Sequence, residues 1–403
     1  MIKQIENIIH LDENINLDNF SINTKMSKDG SVIIISLAAL DINNNDNINF
    51  FYIFRNTNEG YIREKKFLYK RYFDEAIHHN SIAISDDGNT IAMGRLASTI
   101  HNDLIIGTVT ILKYKNGNWR TASTLYLDED INHDKFGYCL DLSGNGKYLA
   151  VSYLTEYHLK PDRKGYVAIY TSVSGTWKCL YKVEPDSKDI TNFGKAVKIN
   201  VDGKRLFISA NKTEEGKEIT GIVNVYTRVD GVYNLKNIFE STDCENVRFG
   251  NSIDISSNGE HLIIGSPVSQ CVKNLNTDKV YYHNFKDNKR KESIIHSNIL
   301  PTGKIDINTF GKVVKISDNG NNILVLSVLN EGNARGKKSS YMYELFSKRT
   351  IGWYLEEARI LSDKYIFGDV DIELAGEANL LSFIQFNRNT NSKNNFCINI
   401  SNY

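Results

Sequence analysis

The residues best able to do chemistry are scattered along the chain and match no established catalytic pattern. His78 and His79 are adjacent, and neighbouring residues on a strand point to opposite faces, so this pair is poorly placed to share a metal ion. The acidic run Asp128-Glu129-Asp130 falls in a predicted loop. No HExxH, GxSxG or P-loop motif is present. A carboxylate pair assembled by folding, as glycosidases use, stays open, but we assign no catalytic, cofactor-binding or metal-binding residue.

The Asp/Asn-Gly turns are the other candidate for an ion site. Calcium needs six to eight oxygen ligands. Segments such as Ser85-Asp86-Asp87-Gly88 and Ser317-Asp318-Asn319-Gly320 each offer one or two side-chain oxygens. We therefore interpret them as plain hairpin turns and expect neither calcium nor any other cofactor.

Composition narrows the partner and the compartment. Lys plus Arg and Asp plus Glu are both 48, so the net charge is zero and nucleic acid is not the expected partner. The first ten residues do not resemble a secretory signal, so we expect no signal peptide, and no apolar run is long enough to span a membrane. The five cysteines form no CxxC pair, which favours a reducing compartment, with Cys139 and Cys397 as buried, inert thiols. We expect a cytoplasmic or virion-associated protein.

A repeat organises the whole chain. Phe-Gly, an alternating strand, an Asp/Asn-Gly turn and a second strand recur, most clearly from Phe249-Gly250 to Asn258-Gly259. His78-His79 replaces Phe-Gly in the second copy, a change typical of a degenerate repeat. The copies begin near positions 20, 78, 136, 193, 249, 310 and 367, which are 56 to 61 residues apart. A period this regular indicates a repeat architecture.

Each period contains four strand-like runs, which is the content of one propeller blade. In the third copy the runs are Tyr138–Leu142, Tyr148–Ser152, Tyr166–Tyr170 and Trp177–Val183. The last copy contains three, ending with Phe396–Ile400, and an extra strand, Ile2–Leu11, precedes the first copy. We therefore predict an all-β fold: residues 1–403 form a single seven-bladed β-propeller of four-stranded antiparallel blades. Residues 1–11 supply the outer strand of the last blade and close the ring, which removes free sheet edges.

These elements resemble the FG-GAP repeats, whose best-known members form the seven-bladed head of integrin α chains. The resemblance rests on Phe193-Gly194 with Asp202-Gly203, and on Gly165-Tyr166-Val167 followed by Tyr170 and Trp177. It covers essentially the whole chain. It implies the propeller fold and a binding role, but the calcium loops of that family are missing here. The repeat phenylalanines and Trp119, Trp177 and Trp353 are interpreted as packing residues.

The variable links predict where a partner binds. The links between second and third strands differ from blade to blade: Leu154–Lys164, Asn211–Thr220, Val268–Lys279 and Leu329–Ser340. Variable loops on a rigid scaffold usually carry recognition. The basic clusters Lys286 to Lys291 and Arg335 to Lys338 are interpreted as solvated surface.

Three functions remain open. The first is a non-enzymatic protein-interaction or scaffolding propeller, and the composition, rich in Asn, Ile and Lys, would suit a structural protein of a large DNA virus. The second is a glycan-binding propeller with exposed aromatics and acids in equivalent pockets. The third is an enzyme with converging carboxylates or histidines at the mouth of the central channel.

Overall fold

The fold is described from a computed structural model. It describes all residues except 1–6, 12–14, 42–46, 71–80, 100–104, 128–134, 155–164, 174, 215–216, 242–247, 268–278, 286–290, 298–304, 308, 332–337, 362–367, 370, 376–379, 389–393 and 403.

The described strands form seven sheets whose main paths are antiparallel and four-stranded. The first three sheets, from inner to outer strand, are β2 (Ile15–Met26), β3 (Val32–Asp41), β4 (Asn47–Thr57) and β5 (Gly60–Lys70); β6 (Ile82–Ile84), β7 (Thr90–Thr99), β8 (Ile105–Lys115) and β9 (Asn118–Leu125); β10 (Lys135–Leu142), β11 (Tyr148–Leu154), β12 (Tyr166–Val173) and β13 (Thr176–Val183).

The fourth and sixth sheets each have an inner strand in two pieces. The fourth and fifth sheets are β14 (Ile190–Thr191) with β15 (Val197–Ile199), β16 (Arg205–Glu214), β17 (Lys217–Val229) and β18 (Val232–Glu240); β19 (Ser252–Ile255), β20 (His261–Ser266), β21 (Lys279–Asn284) and β22 (Lys291–Ile295). The last two are β23 (Ile305–Ile307) with β24 (Val313–Ile316), β25 (Asn322–Glu331), β26 (Lys338–Arg349) and β27 (Gly352–Ile360); β29 (Ile372–Ala375), β30 (Leu380–Arg388), β31 (Asn394–Asn402) and β1 (Asn7–Leu11).

The sheets are arranged around an axis. Each inner strand contacts the inner strand of the next sheet, and β29 of the seventh sheet contacts β2 of the first. The chain is therefore a β-propeller of four-stranded antiparallel blades. The N-terminal strand β1 pairs with β31, from Asn7 opposite Ile400 to Leu11 opposite Phe396, so it is the outer strand of the seventh sheet. The short strand β28 (Gly368–Asp369) pairs in parallel with β2 and joins the same two sheets.

The turn between the first two strands of a sheet holds itself together through its own side chains. In the second sheet, Ser85 Oγ donates to Asp87 Oδ1 at 2.5 Å, and the same carboxylate oxygen accepts from the Asn89 amide at 2.9 Å. Burial opposes ionisation of Asp87, but these hydrogen bonds outweigh it and lower its pKa. The same Ser–Asp/Asn bond recurs at Ser27–Asp29, Ser143–Asn145, Ser256–Asn258 and Ser317–Asn319. The turn oxygens thus stabilise the hairpin.

The Phe-Gly pairs explain how neighbouring sheets pack. The ring of each described phenylalanine is buried, and the glycine after it has a positive φ that only glycine adopts easily; the pairs are Phe136-Gly137, Phe193-Gly194, Phe249-Gly250 and Phe310-Gly311. The glycine lies against the preceding sheet: a Cβ on Gly250 would lie 2.8 Å from Val223 Cγ2 and 3.2 Å from Ser209 Oγ. A Cβ on Gly221 would collide with the carbonyl oxygen of Phe249. The third-strand glycines Gly107, Gly165 and Gly221 therefore meet the Phe-Gly pairs at 136, 193 and 249 across three of these interfaces.

Part of the predicted variable links is strand. Pairing of β16 with β17 continues to Glu214 opposite Lys217, and pairing of β25 with β26 continues to Glu331 opposite Lys338. The prediction of irregular loops across Asn211–Thr220 and Leu329–Ser340 was therefore wrong for most of these residues, because polar side chains do not stop the backbone ladder from continuing. Residues 155–164 and 268–278, His78-His79, Phe367 and most of both basic clusters lie outside the described residues.

The interface glycines give a stability prediction. Gly250 and Gly117 share a φ of 76°, but no atom lies within 4 Å of a Cβ placed on Gly117. We expect Gly117→Ala to cost about 1 kcal/mol through backbone strain alone. Gly250→Ala should cost about 1–3 kcal/mol more because the methyl group overpacks the interface. Urea denaturation of both variants measures the difference, and equal losses would contradict the close-approach explanation.

Candidate functional site

Seven equivalent side chains of the inner strands surround the axis. In the first six sheets, a Ser or Asn opens the turn between the first and second strands. The side chain in question belongs to the residue two positions before that Ser or Asn, as Lys198 lies two positions before Asn200. We call this set the central ring: Lys25, Ala83, Asp141, Lys198, Asp254, Lys315 and Glu373. Taken in order, three lysines alternate with three carboxylates, and Ala83 is the single neutral member.

Direct ion pairs join most of the neighbours in the central ring. Lys198 Nζ lies 2.9 Å from Asp254 Oδ1 and 3.7 Å from Asp141 Oδ1. Glu373 Oε2 lies 2.7 Å from Lys25 Nζ and 3.0 Å from Lys315 Nζ. Each pair joins two adjacent sheets, and each of these side chains is less than one-fifth exposed. The ring therefore connects sheets three to five and sheets six, seven and one.

Backbone amides complete the coordination of the carboxylates. Asp141 Oδ2 accepts from the Ile199 amide at 2.7 Å, and Asp254 Oδ2 accepts from the Ile316 amide at 2.9 Å. In both cases the donor belongs to the following sheet. Asp371, two residues before Glu373, lies 3.8 Å from Lys315 Nζ. The acidic groups of the ring thus fix the position of one inner strand, along the propeller axis, relative to the next inner strand.

Burial and neighbouring charge shift the titration of the ring in opposite directions. Burial disfavours the charged form of Lys198, but Asp141 and Asp254 outweigh it and hold its pKa well above the ordinary value. Burial likewise opposes ionisation of Glu373, but Lys25 and Lys315 lower its pKa to about 2. For Asp141, burial dominates and its pKa is raised. The pKa of Lys25 is lowered, by burial first and then by Lys315 and Lys198.

The turns form one mouth of the central channel. Their backbones are joined from sheet to sheet: the amides of Lys28, Asp86, Asn145, Val201 and Ser257 donate to carbonyls of the next sheet over 2.9–3.2 Å. A cavity of about 130 Å³ lies between this mouth and the central ring, and Lys25, Lys28, Asp86, Asp141 and Asp318 are among the residues that line it. It is smaller than the roughly 300–1,000 Å³ pockets that hold drug-sized ligands.

Two acids stand at this mouth above the ring. Asp318 Oδ2 lies 3.1 Å from Lys28 Nζ. The Asp86 carboxylate extends over Gly144 of the next sheet, where a Cβ would lie 2.6 Å from Asp86 Cγ. The pKa of Asp86 is raised, by burial first and then by the negative charge of Asp318.

The residues singled out from the sequence serve packing more than chemistry. Trp119 and Trp177 are buried between sheets, and Trp119 Nε1 donates to Glu64 of the preceding sheet at 2.7 Å. Cys139 is partly buried on an inner strand, and burial raises the pKa of its thiol. Within the described residues no group of three or more His, Cys, Asp or Glu side chains could hold a metal ion.

Sequence reasoning missed the central ring itself. Apolar residues alternate in the first strand of each copy, and this alternation predicts that one face of the strand lies on the core. Lys198, Asp254 and Lys315 are among the residues between those apolar positions. Reading them across all copies shows the alternation of charge. The signal was present at a fixed offset from every Ser/Asn turn.

Comparisons with known proteins support the fold. The chain is similar to the periplasmic gluconolactonase PpgL of Pseudomonas aeruginosa, with 11% identity, 93% of each chain covered and a TM-score of 0.50. It is also similar to the β-propeller domain of the Trilobed protease from Pyrococcus furiosus, with 12% identity, 96% and 94% covered and a TM-score of 0.51. The WD40 domain of SCAP from fission yeast matches with 11% identity, 98% of each chain covered and a TM-score of 0.46. At these identities the first two likenesses show the fold alone.

No known family model matches this sequence, and no curated protein sequence does either. The FG-GAP resemblance therefore stays a prediction. None of the described residues forms a helix with the length and hydropathy needed to cross a membrane.

The ion pairs of the ring give a second stability prediction. Lys198→Met removes the ammonium group between Asp141 and Asp254 and leaves two buried carboxylates facing each other. We expect a loss of about 3–5 kcal/mol in the free energy of unfolding. Lys204→Met removes the same charge from an exposed pair with Asp202, whose side chains are 66% and 42% exposed, and should cost less than about 1 kcal/mol. Equal losses in urea denaturation would show that the ring is not a stabilising contact.

Glu373 gives a pH prediction. Its folded-state pKa of about 2 lies below its ordinary value of 4.5. Its stabilising effect is therefore fully present above about pH 4.5 and is lost as pH falls towards 2, on the order of 3 kcal/mol in total. Glu373→Gln should flatten the fall in unfolding free energy across that window, whereas Glu240→Gln, on the exposed outer strand β18, should not. If the unfolding free energy of Glu373→Gln falls with decreasing pH as steeply as that of the unmodified protein, Glu373 is not the group responsible for this fall.

Proposed function

We propose that this chain is a non-enzymatic binding propeller that engages a protein partner through the face carrying the links between second and third strands. The observation that supports it is the central ring, because its carboxylates are committed to lysines and backbone amides of adjacent sheets. Groups held in this way stabilise the scaffold and leave recognition to its periphery.

An enzyme at the channel mouth is the second candidate, because carboxylates do converge there as that hypothesis requires. Asp141, Asp254 and Glu373 come together near the axis, but each carboxylate accepts from an ammonium or amide group within 3 Å. A general base must present an available lone pair to its substrate. The cavity of about 130 Å³ also leaves little room for a substrate. Both features favour a structural role for the three acids.

A glycan-binding role has less support from the geometry. It requires exposed aromatic rings in equivalent positions of several sheets. An aromatic residue near the start of the outer strand occupies an equivalent position in several sheets. Three of these residues, Trp119, Trp177 and Tyr233, are at most 9% exposed. Their faces are covered by the neighbouring sheets. The repeated aromatics therefore support packing and not sugar stacking.

The proposed binding face carries hairpins of unequal length between the second and third strands. In the third sheet, the described pairing of second and third strands ends at Tyr153 opposite Tyr166. In the fourth and sixth sheets it extends to Glu214 opposite Lys217 and to Glu331 opposite Lys338. Turns on the other face are short and similar between sheets, so the hairpin face differs most around the ring. These differences in hairpin length would let a partner bind the propeller in one orientation only.

Loop replacement tests the proposal. Links 155–164, 212–219, 268–278 and 331–338 are replaced by Gly/Ser segments of equal length, and a control carries Gly/Ser at the opposite-face turns 115–118, 173–176 and 229–232. Partners are captured from a lysate of the native host and quantified by mass spectrometry, and the leading partner is then purified for a direct binding measurement. We expect at least a tenfold loss of affinity for the link variant and about unchanged affinity for the turn variant. Unchanged binding by the link variant would refute the proposed face.

We further propose that the seven sheets are the seven blades of one closed ring of the FG-GAP type without calcium loops. The count of sheets, the contact of β29 with β2 and the pairing of β1 with β31 support the ring. A virion-associated role in a large DNA virus stays a prediction from composition.

A further inference from the structure

A buried carboxylate contact joins the outer halves of the first two sheets. Glu64 of sheet one accepts from Trp119 Nε1 of sheet two at 2.7 Å, and its other carboxylate oxygen accepts from Arg55 Nε at 2.7 Å. Glu64 is the unpaired residue of a β-bulge in the outer strand β5. Its side chain is 21% exposed, so this position at the interface is open to solvent.

The same bulge in sheet two carries an alanine. Ala122 lies three residues after Trp119 in β9, as Glu64 lies three residues after Tyr61 in β5, and both are bulge residues. The following sheet has Trp177 at the register of Trp119 in its own outer strand. Trp177 is 5% exposed, and its Nε1 is buried with no hydrogen-bond partner among the described residues. This indole N–H therefore lacks the carboxylate that its counterpart has one sheet earlier.

The cation of this contact is present in sheet two. Lys113 stands where Arg55 stands in sheet one, because each pairs with the first residue of the second strand. Lys113 Nζ lies 6.0 Å from the centre of the Trp177 ring and donates to Thr90 Oγ1 at 2.5 Å. Burial lowers the pKa of Lys113, and the negative charge of Asp87 offsets that only in part. An ammonium group and an indole N–H thus lie at one interface without a shared carboxylate.

The outer halves of sheets two and three carry positive charge alone. Their strands β8, β9, β12 and β13 contain no Asp or Glu, whereas the outer halves of sheets one, four, five and six each contain at least one Glu. No ion pair joins their cations to any other described residue. These cations are Lys113, Lys115, Arg120, Lys178 and Lys182. Although the net charge of the chain is zero, this surface attracts negatively charged groups.

We propose that the outer surface of sheets two and three docks an acidic segment of a protein partner, with one carboxylate accepting from Trp177 Nε1 and Lys113 Nζ. Ala122 is exposed, so the carboxylate approaches from solvent past its methyl group. A carboxylate is the group that the equivalent position holds in sheet one, and the exposed cations nearby would bind further acidic side chains. This surface lies on the rim and is separate from the hairpin face, so either proposal can fail without the other.

NMR of isotope-labelled indole nitrogens tests this contact. The chain has three tryptophans, and Trp177→Phe identifies the signal of Trp177. The probe is a hexaglutamate peptide with blocked ends, titrated at about 50 mM salt. We expect a saturable shift of the Trp177 signal with a Kd of roughly 0.05–2 mM, weakened at least about fivefold at about 0.5 M salt. Hexaglutamine, which has the same length and no charge, should leave the signal unchanged.

Two variants separate this contact from general charge attraction. Ala122→Glu supplies the carboxylate from within the chain, as Glu64 does in sheet one. It should shift the Trp177 signal without peptide and weaken hexaglutamate binding at least about tenfold. Thr124→Glu adds the same charge at an exposed position of the same strand. It should weaken binding less than about threefold and leave the Trp177 signal in place.

A second pair keeps the test decisive if Ala122→Glu does not fold. Lys113→Met should weaken hexaglutamate binding about tenfold, whereas Lys115→Met, at an exposed position of the same strand, should weaken it less than about threefold. The proposal fails if hexaglutamate gives no saturable shift of the Trp177 signal below about 10 mM, or if the two members of each folded pair have equal effects. It also fails if hexathymidylate, which carries phosphates, binds more tightly and shifts the same signal.

Discussion

Charge that is buried on the axis of this propeller must be neutralised by a neighbouring sheet, and the rest of the structure follows from that constraint. An isolated charge in such a place is costly, whereas a charge between two opposite ones is stabilised. The arrangement of lysine and carboxylate around the axis meets this requirement across successive sheet boundaries. A ring with an odd number of members cannot alternate two signs without one exception, and Ala83 is that exception.

The second constraint acts further from the axis, where backbones of adjacent sheets come close. Gly221 within the third strand β17 and Gly250 after the repeat phenylalanine leave no space for a side chain. By strand register, Asn49 of the first sheet stands where Gly221 stands in the fourth. The next sheet after Asn49 is the one in which His78-His79 replaces Phe-Gly. Both signatures are absent from this pair of sheets, whereas the sixth sheet has Tyr341 at the same position and is still followed by Phe367-Gly368, so the two do not always change together.

The sequence predicted the propeller and the strand content because both depend on local patterns with a fixed period. Asp/Asn-Gly turns, alternation in strands such as Val197–Ile199 and the phase of Phe-Gly are all short-range signals. The central ring was not predicted, because pairing of Lys198 with Asp254 depends on knowing that their strands are innermost and adjacent. The extended hairpins were missed for a related reason, since the ladder from Lys212 to Glu214 is held by backbone pairing that polar side chains do not reveal.

The pairing of β1 with β31 has a consequence for synthesis of the protein. The residues that pair, Asn7 and Ile400, are separated by almost the whole chain, so at about 5–20 residues per second the first strand waits roughly 20–80 s for its partner to leave the ribosome. During that time the strand has an unpaired edge, which is a hazard for association with other nascent chains. Any chaperone that attends this protein during translation would therefore have its most persistent target at the N-terminal strand, and release would coincide with emergence of the last one.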